Sequence, residues 1–180
     1  MDRIRLHDRY FRLFIPNEKI EEAVRKTALG LNRDYAGSEP PVFLSVLNGS
    51  FMFTASLMRH IDFLCELSFV KMTSYCGTSS TGQVRQLIGV SDSLKGRRVI
   101  IVEDIVDTGR TITDMYALLQ DMGVSDIRVC TLFLKPDAYK GSVRIDYHAM
   151  EIGNELIVGY GLDYDQLGRQ FKDIYIIEQP

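Results

Sequence analysis

Val99-Ile100-Ile101-Val102-Glu103-Asp104-Ile105-Val106-Asp107-Thr108-Gly109-Arg110-Thr111 is the stretch that organises this chain. The aliphatic run from Val99 to Val102 suits a strand covered on both faces, of the kind found at the centre of a parallel sheet. Beyond Thr108-Gly109, the residues Ile112, Met115, Tyr116, Leu119 and Met122 hold helical spacing until Gly123, which reads as a C-terminal cap. Between strand and helix lies a turn with chemical uses. A helix start offers unpaired backbone N–H groups and a partial positive charge of roughly half a unit, which suits a phosphate dianion. Gly109 lets backbone approach such a group closely, and Thr108 and Thr111 add hydroxyl donors, so a phosphate cradle needs no large cationic cluster. Glu103 and Asp104, expected at the strand end, are acceptor-only groups fit for vicinal ribose hydroxyls or a hydrated magnesium ion. Two acids beside a phosphate site imply a sugar phosphate.

Outward from this stretch, the chain alternates strands and helices. Ile20, Ala23, Val24, Thr27, Ala28 and Leu31 recur at the spacing of an amphipathic helix after Pro16-Asn17. Pro40-Pro41 breaks the chain before a buried strand over 42–47, which stops at Asn48-Gly49-Ser50. A helix is expected over 51–60 and a strand over 61–72, with Cys65, Leu67 and Phe69 on one side. Residues 74–82 are small and polar, a loop of unusual length that reads as a lid. A further strand over 127–134 ends at Lys135-Pro136. This order implies an α/β fold with a doubly wound, mainly parallel sheet, whose ligands lie beyond the carboxyl ends of the strands. The loops after Leu47, Met72, Val102 and Leu134 are thereby singled out. The last forty residues change character and read as a hood over the site, so a single domain over 1–180 is expected, the hood coming from the N-terminal residues and about 140–180.

Composition narrows the partners. A chain of 180 residues with 46% hydrophobic content can build one sizeable core, and a net charge of -3 supplies no field to gather nucleic acid or an anionic membrane. Cys65, Cys76 and Cys130 form no C-x-x-C pair, charged residues interrupt the N-terminus, and no stretch approaches the length of a membrane span. A cytoplasmic protein with small-molecule partners is the expectation. His7, His60 and His148 are too scattered for a metal site and read as structural.

The stretch 99–111 resembles the phosphoribosyl pyrophosphate signature of the type I phosphoribosyltransferases, with every position filled, and other segments are similar to the hypoxanthine-guanine branch of that family. The resemblance implies a purine-salvage transferase that joins a 6-oxopurine, hypoxanthine or guanine, to phosphoribosyl pyrophosphate, giving IMP or GMP with the help of Mg2+. It implies ribose and 5-phosphate binding by Glu103, Asp104, Asp107, Thr108, Gly109, Arg110 and Thr111, with Asp107 the catalytic acid/base. Leu47, Asn48 and Gly49 resemble the pyrophosphate loop, with a non-proline cis peptide expected at Leu47-Asn48, and Arg169 aligns with the arginine that contacts pyrophosphate. Lys135 resembles the donor to the purine O6. Ile105, Leu156, Ile157 and Asp163 would complete the purine pocket, with Glu103, Asp104 and Asp163 near magnesium and Ser74-Tyr75 in the closing lid. Many relatives carry Lys or Arg where this chain has Asn48, and usually an aromatic where it has Leu156. A homodimer or homotetramer is implied. The alternatives are a regulatory RNA-binding protein of this fold, against which net acidity counts, and the same scaffold with another base preference such as xanthine.

Overall fold

The computed structural model describes residues 2–73, 85–88 and 94–178. Its main layer is a six-stranded sheet in the order β5-β4-β3-β6-β7-β8, built from β3 (Val42–Leu47), β4 (Glu66–Thr73), β5 (Arg85–Ile88), β6 (Arg98–Val106), β7 (Asp126–Leu134) and β8 (Tyr147–Glu151). All its pairings are parallel except β4 with β5. A second, four-stranded antiparallel sheet joins β1 (Arg3–Leu6) and β2 (Arg9–Ile15) to β10 (Ile174–Ile177) and β9 (Ile157–Val158). The two chain ends thus build one hood.

Helices cover both faces of the main sheet. Strand residues alternate, so Phe43, Ile100 and Val102 face one side while Leu44, Val99 and Ile101 face the other. On the first side pack α1 (Asn17–Tyr35), through Ile20, Val24, Ala28 and Leu31, and α2 (Phe51–Met58), through Phe53 and Leu57. Against the second packs α3 (Arg110–Asp121), through Ile112, Met115 and Leu119. The chain leaves β3 by way of α2 for β4 on one flank and leaves β6 by way of α3 for β7 on the other. The strand order therefore reverses between β3 and β6, the place where an open α/β sheet leaves a crevice for a ligand. Among the described residues no helix is long and apolar enough to cross a membrane.

Three expectations need correction. The strand expected over 61–72 begins only at Glu66, because Asn32 of α1 takes the preceding backbone: its Nδ2 donates to the His60 carbonyl (2.9 Å) and its Oδ1 accepts from Asp62 N (3.0 Å). Phe63 then stacks with Tyr35 (5.5 Å between ring centroids), so this segment is held by side chains instead of a ladder. Second, β6 does not end at Val102. Pairing with β3 stops at Ser45–Val102, yet pairing with β7 runs on through Glu103–Thr131 to Val106–Leu134, so Glu103 and Asp104 are strand residues with one open flank. Third, Tyr147–Glu151, expected in the hood, is the edge strand of the main sheet, parallel to β7. Its half-exposed edge position leaves no clean apolar alternation to read.

Candidate active site

The open flank of β6 is the floor of the site. Glu103 is buried, and among the described residues its Oε2 has no hydrogen-bond partner. Burial, and then the neighbouring Asp104 charge, push the Glu103 carboxyl well above the usual carboxylate range. Burial likewise raises Asp104, opposed in part by Glu103, by the Ile105 N–H that donates to Oδ1 (2.7 Å) and by Arg169. An acceptor oxygen buried without a donor is costly, and these two acids are poised to receive hydroxyl donors or a cation.

The turn after β6 forms as the sequence implies. Gly109 adopts φ 86°, the left-handed region, and stands as N-cap of α3. A methyl group added there would lie 2.4 Å from the Tyr139 ring. Residues 135–140 fold back over the turn: Lys135 N donates to the Val106 carbonyl (2.9 Å) and Lys140 N to that of Thr108 (3.3 Å). By this path the Lys135 ammonium, itself buried, reaches Asp107 Oδ2 at 3.0 Å.

The opposite wall comes from the loop after β3. The Leu47–Asn48 peptide is cis, as expected. A buried knot of hydroxyls ties this loop to α2, with Ser45 Oγ 2.7 Å from both Ser50 Oγ and Thr54 Oγ1, while Ser50 donates to the Val46 carbonyl. Gly49 is wedged in place: a Cβ on it would lie 1.4 Å from Asp104 Oδ2. Above sits the hood segment with Gly161, φ 101°, whose added Cβ would fall 2.0 Å from the Gly49 carbonyl oxygen. Arg169 closes this wall by donating from Nη1 to the Gly161 carbonyl (2.8 Å) and pairing through Nη2 with Asp163 Oδ1 (2.6 Å).

Two adjoining hollows result. One, of about 350 Å³, is lined by Leu47, Asn48, Gly49, Glu103, Asp104, Arg110, Thr111, Asp163 and Arg169, and also by Val46, Met72 and Asp114. The other, of about 280 Å³, runs along 103–112 and includes Ile105, Asp107, Thr108 and Gly109. The structure therefore brings together the residues expected for ribose, phosphate and pyrophosphate. The expected purine set is gathered only in part. Ile105 lines the second hollow and Lys135 joins it through Asp107, whereas Leu156, 40% exposed, and the buried Ile157 line neither. Ser74 and Tyr75 lie outside the described residues. Sequence reasoning missed Asp114, although it lies one turn past Thr111 on the same face of α3, and it missed Tyr139, for which no local signal exists.

The donor set also tests the fit of magnesium. Among the described residues, no three His, Cys, Asp or Glu side chains gather into a metal cage. Glu103, Asp104 and Asp163 line one hollow, but both Asp163 oxygens already accept, one from Arg169 and the other from Gln166 N (2.8 Å). This suits Mg2+, which keeps its waters and binds through one or two carboxylates together with substrate phosphates.

Comparison with known proteins gives a consistent result. Residues 15–165 match the model of the phosphoribosyl transferase domain. A hypoxanthine-guanine phosphoribosyltransferase of Streptococcus pneumoniae is 34% identical over 169 residues, covering 93% of each chain, and one of Streptococcus pyogenes is 40% identical over 162 residues, covering 88% and 89%. Among solved structures, a hypoxanthine-guanine phosphoribosyltransferase of Bacillus anthracis superposes with a TM-score of 0.85 at 34% identity, covering 92% of this chain and 98% of that one. A hypoxanthine phosphoribosyl transferase of Trypanosoma cruzi gives 0.86 at 32% identity, covering 97% and 95%.

Proposed function

The chain belongs to the phosphoribosyl transferase family, and from that premise we propose that it is a hypoxanthine-guanine phosphoribosyltransferase, transferring the 5-phosphoribosyl group to N9 of a 6-oxopurine. The observation that carries this reading is the convergence of three elements at the β3–β6 crevice. The phosphate turn with Glu103 and Asp104 beside it, the loop after β3 and the Asp163–Arg169 pair of the hood line one cleft.

In this mechanism the N–H groups at the start of α3, with Thr108 and Thr111, hold the 5-phosphate, and Glu103 and Asp104 fix the ribose hydroxyls. The Gly49 loop and Arg169 hold the departing pyrophosphate, the guanidinium presenting paired donors to phosphoryl oxygens. The C1–oxygen bond to pyrophosphate breaks while N9 bonds to C1 from the opposite face, and Asp107 accepts the proton that the purine loses. Positioning and charge neutralisation supply most of the rate. Lys135 leaves Asp107 to donate to the purine O6, beside Ile105. Mg2+, when bound at the acids together with the substrate, screens pyrophosphate charge. The cytoplasm is the compartment we assign, where the free thiols of Cys65 and Cys130 stay reduced.

The test is direct. Purified protein, phosphoribosyl pyrophosphate and Mg2+ are mixed separately with hypoxanthine, guanine, xanthine, adenine and uracil, and nucleotide is followed chromatographically. IMP and GMP should form with release of pyrophosphate; formation of no nucleotide, or of AMP or UMP alone, refutes the assignment.

A further inference from the structure

Glu21 of α1 stands outside the cleft, and none of the described residues lining the two hollows comes from α1. Its carboxylate nevertheless joins three elements. Oε2 accepts from Ser56 Oγ of α2 (2.7 Å), and Oε1 accepts from the Tyr160 hydroxyl of the hood (2.6 Å). Both partners are buried, Tyr160 at 2% exposure. Bonds to a charged acceptor in such surroundings are short and strong.

What Tyr160 holds gives the contact its meaning. Its φ is 46°, and it lies between Gly159 and Gly161 at 102° and 101°, so three consecutive residues occupy the left-handed side of the map. For a tyrosine that conformation is unfavourable and persists only where surrounding contacts impose it. The backbone is pinned by Tyr160 N donating to the Phe171 carbonyl (2.7 Å) and Gly161 N to that of Arg169 (3.0 Å). The next carbonyl, Gly161 O, accepts from the Arg169 guanidinium, and Gly161 itself presses on the Gly49 carbonyl. On the other side, Ser56 belongs to the helix that continues directly from the Gly49 loop.

We propose that Glu21 is a positioning residue: by clamping α2 and Tyr160 to α1, it fixes the separation between the Gly49 loop and Arg169, and so the grip on pyrophosphate. The inference rests on the reading of Gly49 and Arg169 given above. Clamping bears first on the two walls that meet the diphosphate; Lys135 and Ile105, which are offered to the base, stand on the far flank, just past the end of β7 and in β6, although Ile105 packs against the same apolar cluster as Tyr160. The expected signature is therefore selective.

The protein is first assayed for IMP synthesis. An inactive parent overturns the functional reading and this inference with it. With an active parent, Glu21→Ala and Tyr160→Phe should raise KM for phosphoribosyl pyrophosphate, and for pyrophosphate in the reverse direction, about tenfold, the scale of one lost hydrogen bond to a charged group. KM for hypoxanthine should move less than about twofold, and Glu21→Gln, which keeps the shape and one acceptor oxygen and whose amide N–H can donate to the other hydroxyl once that hydroxyl turns to accept, should restore part of the loss. If Glu21→Ala fails to melt cooperatively, Tyr160→Phe, which retains the packed ring, and Ser56→Ala carry the test. Folded variants with the parent's KM for phosphoribosyl pyrophosphate, or with the base KM raised equally, overturn the clamp.

Discussion

The Lys135 ammonium lies 3.0 Å from the Asp107 carboxylate, which joins the end of β7 to the turn that opens α3. In the free protein each occupies the other with the group it would offer the purine. The Lys135 side chain is 9% exposed and that of Asp107 48%, so solvent screens the pair and its net worth is about 1 kcal/mol. A cation buried to that degree also needs its partner more than the carboxylate does.

Asp107→Asn is accordingly expected to separate chemistry from folding. Turnover should fall about 100-fold to 10,000-fold, the range for removing a general base. The melting temperature should drop by a few degrees at most, given the size of the ion pair. Steady-state kinetics and calorimetry on the same preparation check both halves, and unchanged turnover would remove Asp107 from the role.

Gly109→Ala tests the phosphate turn. The substituted residue would have to keep φ near 86°, which costs a non-glycine roughly 1–2 kcal/mol, and its methyl group would meet the Tyr139 ring at 2.4 Å. The turn must open. KM for phosphoribosyl pyrophosphate should rise at least tenfold, an increase that isothermal titration should reproduce as weaker IMP binding. Tyr139→Ala combined with Gly109→Ala should recover part of the loss, because the clash disappears and only the backbone cost remains.

The buried acid in β6 predicts a pH dependence of stability. A Glu103 carboxyl titrates near 4.5 when unfolded and higher when folded, so between those values the folded chain holds a proton that the unfolded chain has released. Stability from this source is complete below 4.5 and is lost as pH rises through the folded value. Glu103→Gln should therefore melt a few degrees above the parent at pH 8, with the gap narrowing as pH falls toward 4.5. Nucleotide synthesis should fall sharply at the same time. A melting difference that stays constant from pH 4.5 to 8 would contradict the assignment of buried charge.

Leu156 offers a gain-of-affinity experiment. It is 40% exposed at the edge of the hood, where an aromatic ring in its place could stack on a base. Base–aromatic stacking is worth about 1–3 kcal/mol, so Leu156→Phe should lower KM for hypoxanthine on the order of tenfold while leaving that for phosphoribosyl pyrophosphate unchanged. Equal base affinity in the two proteins would mean that this position does not face the purine.

How much was legible depended on the range over which each feature is decided. The strand–turn–helix of 99–111, the helix 17–35 and the stop at Gly123 follow from neighbours within a few residues, where periodicity, glycine and caps act directly. The sequence marks Glu103 and Asp104 as acids beside a phosphate turn but does not place them inside β6, because strand length is set by the partner β7. Likewise 61–65 reads as extended from its own residues, whereas Asn32, some thirty residues earlier, takes backbone groups at His60 and Asp62.

The sequence by itself determined the chemistry of the turn, the alternation of helix and strand, and the residue types that a sugar phosphate requires, since these are local properties of backbone and side chain. Only the tertiary structure decided that β3 and β6 would part to open the crevice, that Lys135 would find Asp107, and that Glu21 would reach the hood through Tyr160. Those meetings join residues far apart along the chain, and the order of strands in the sheet, which burial of both its faces selects, is what brings them within hydrogen-bonding distance.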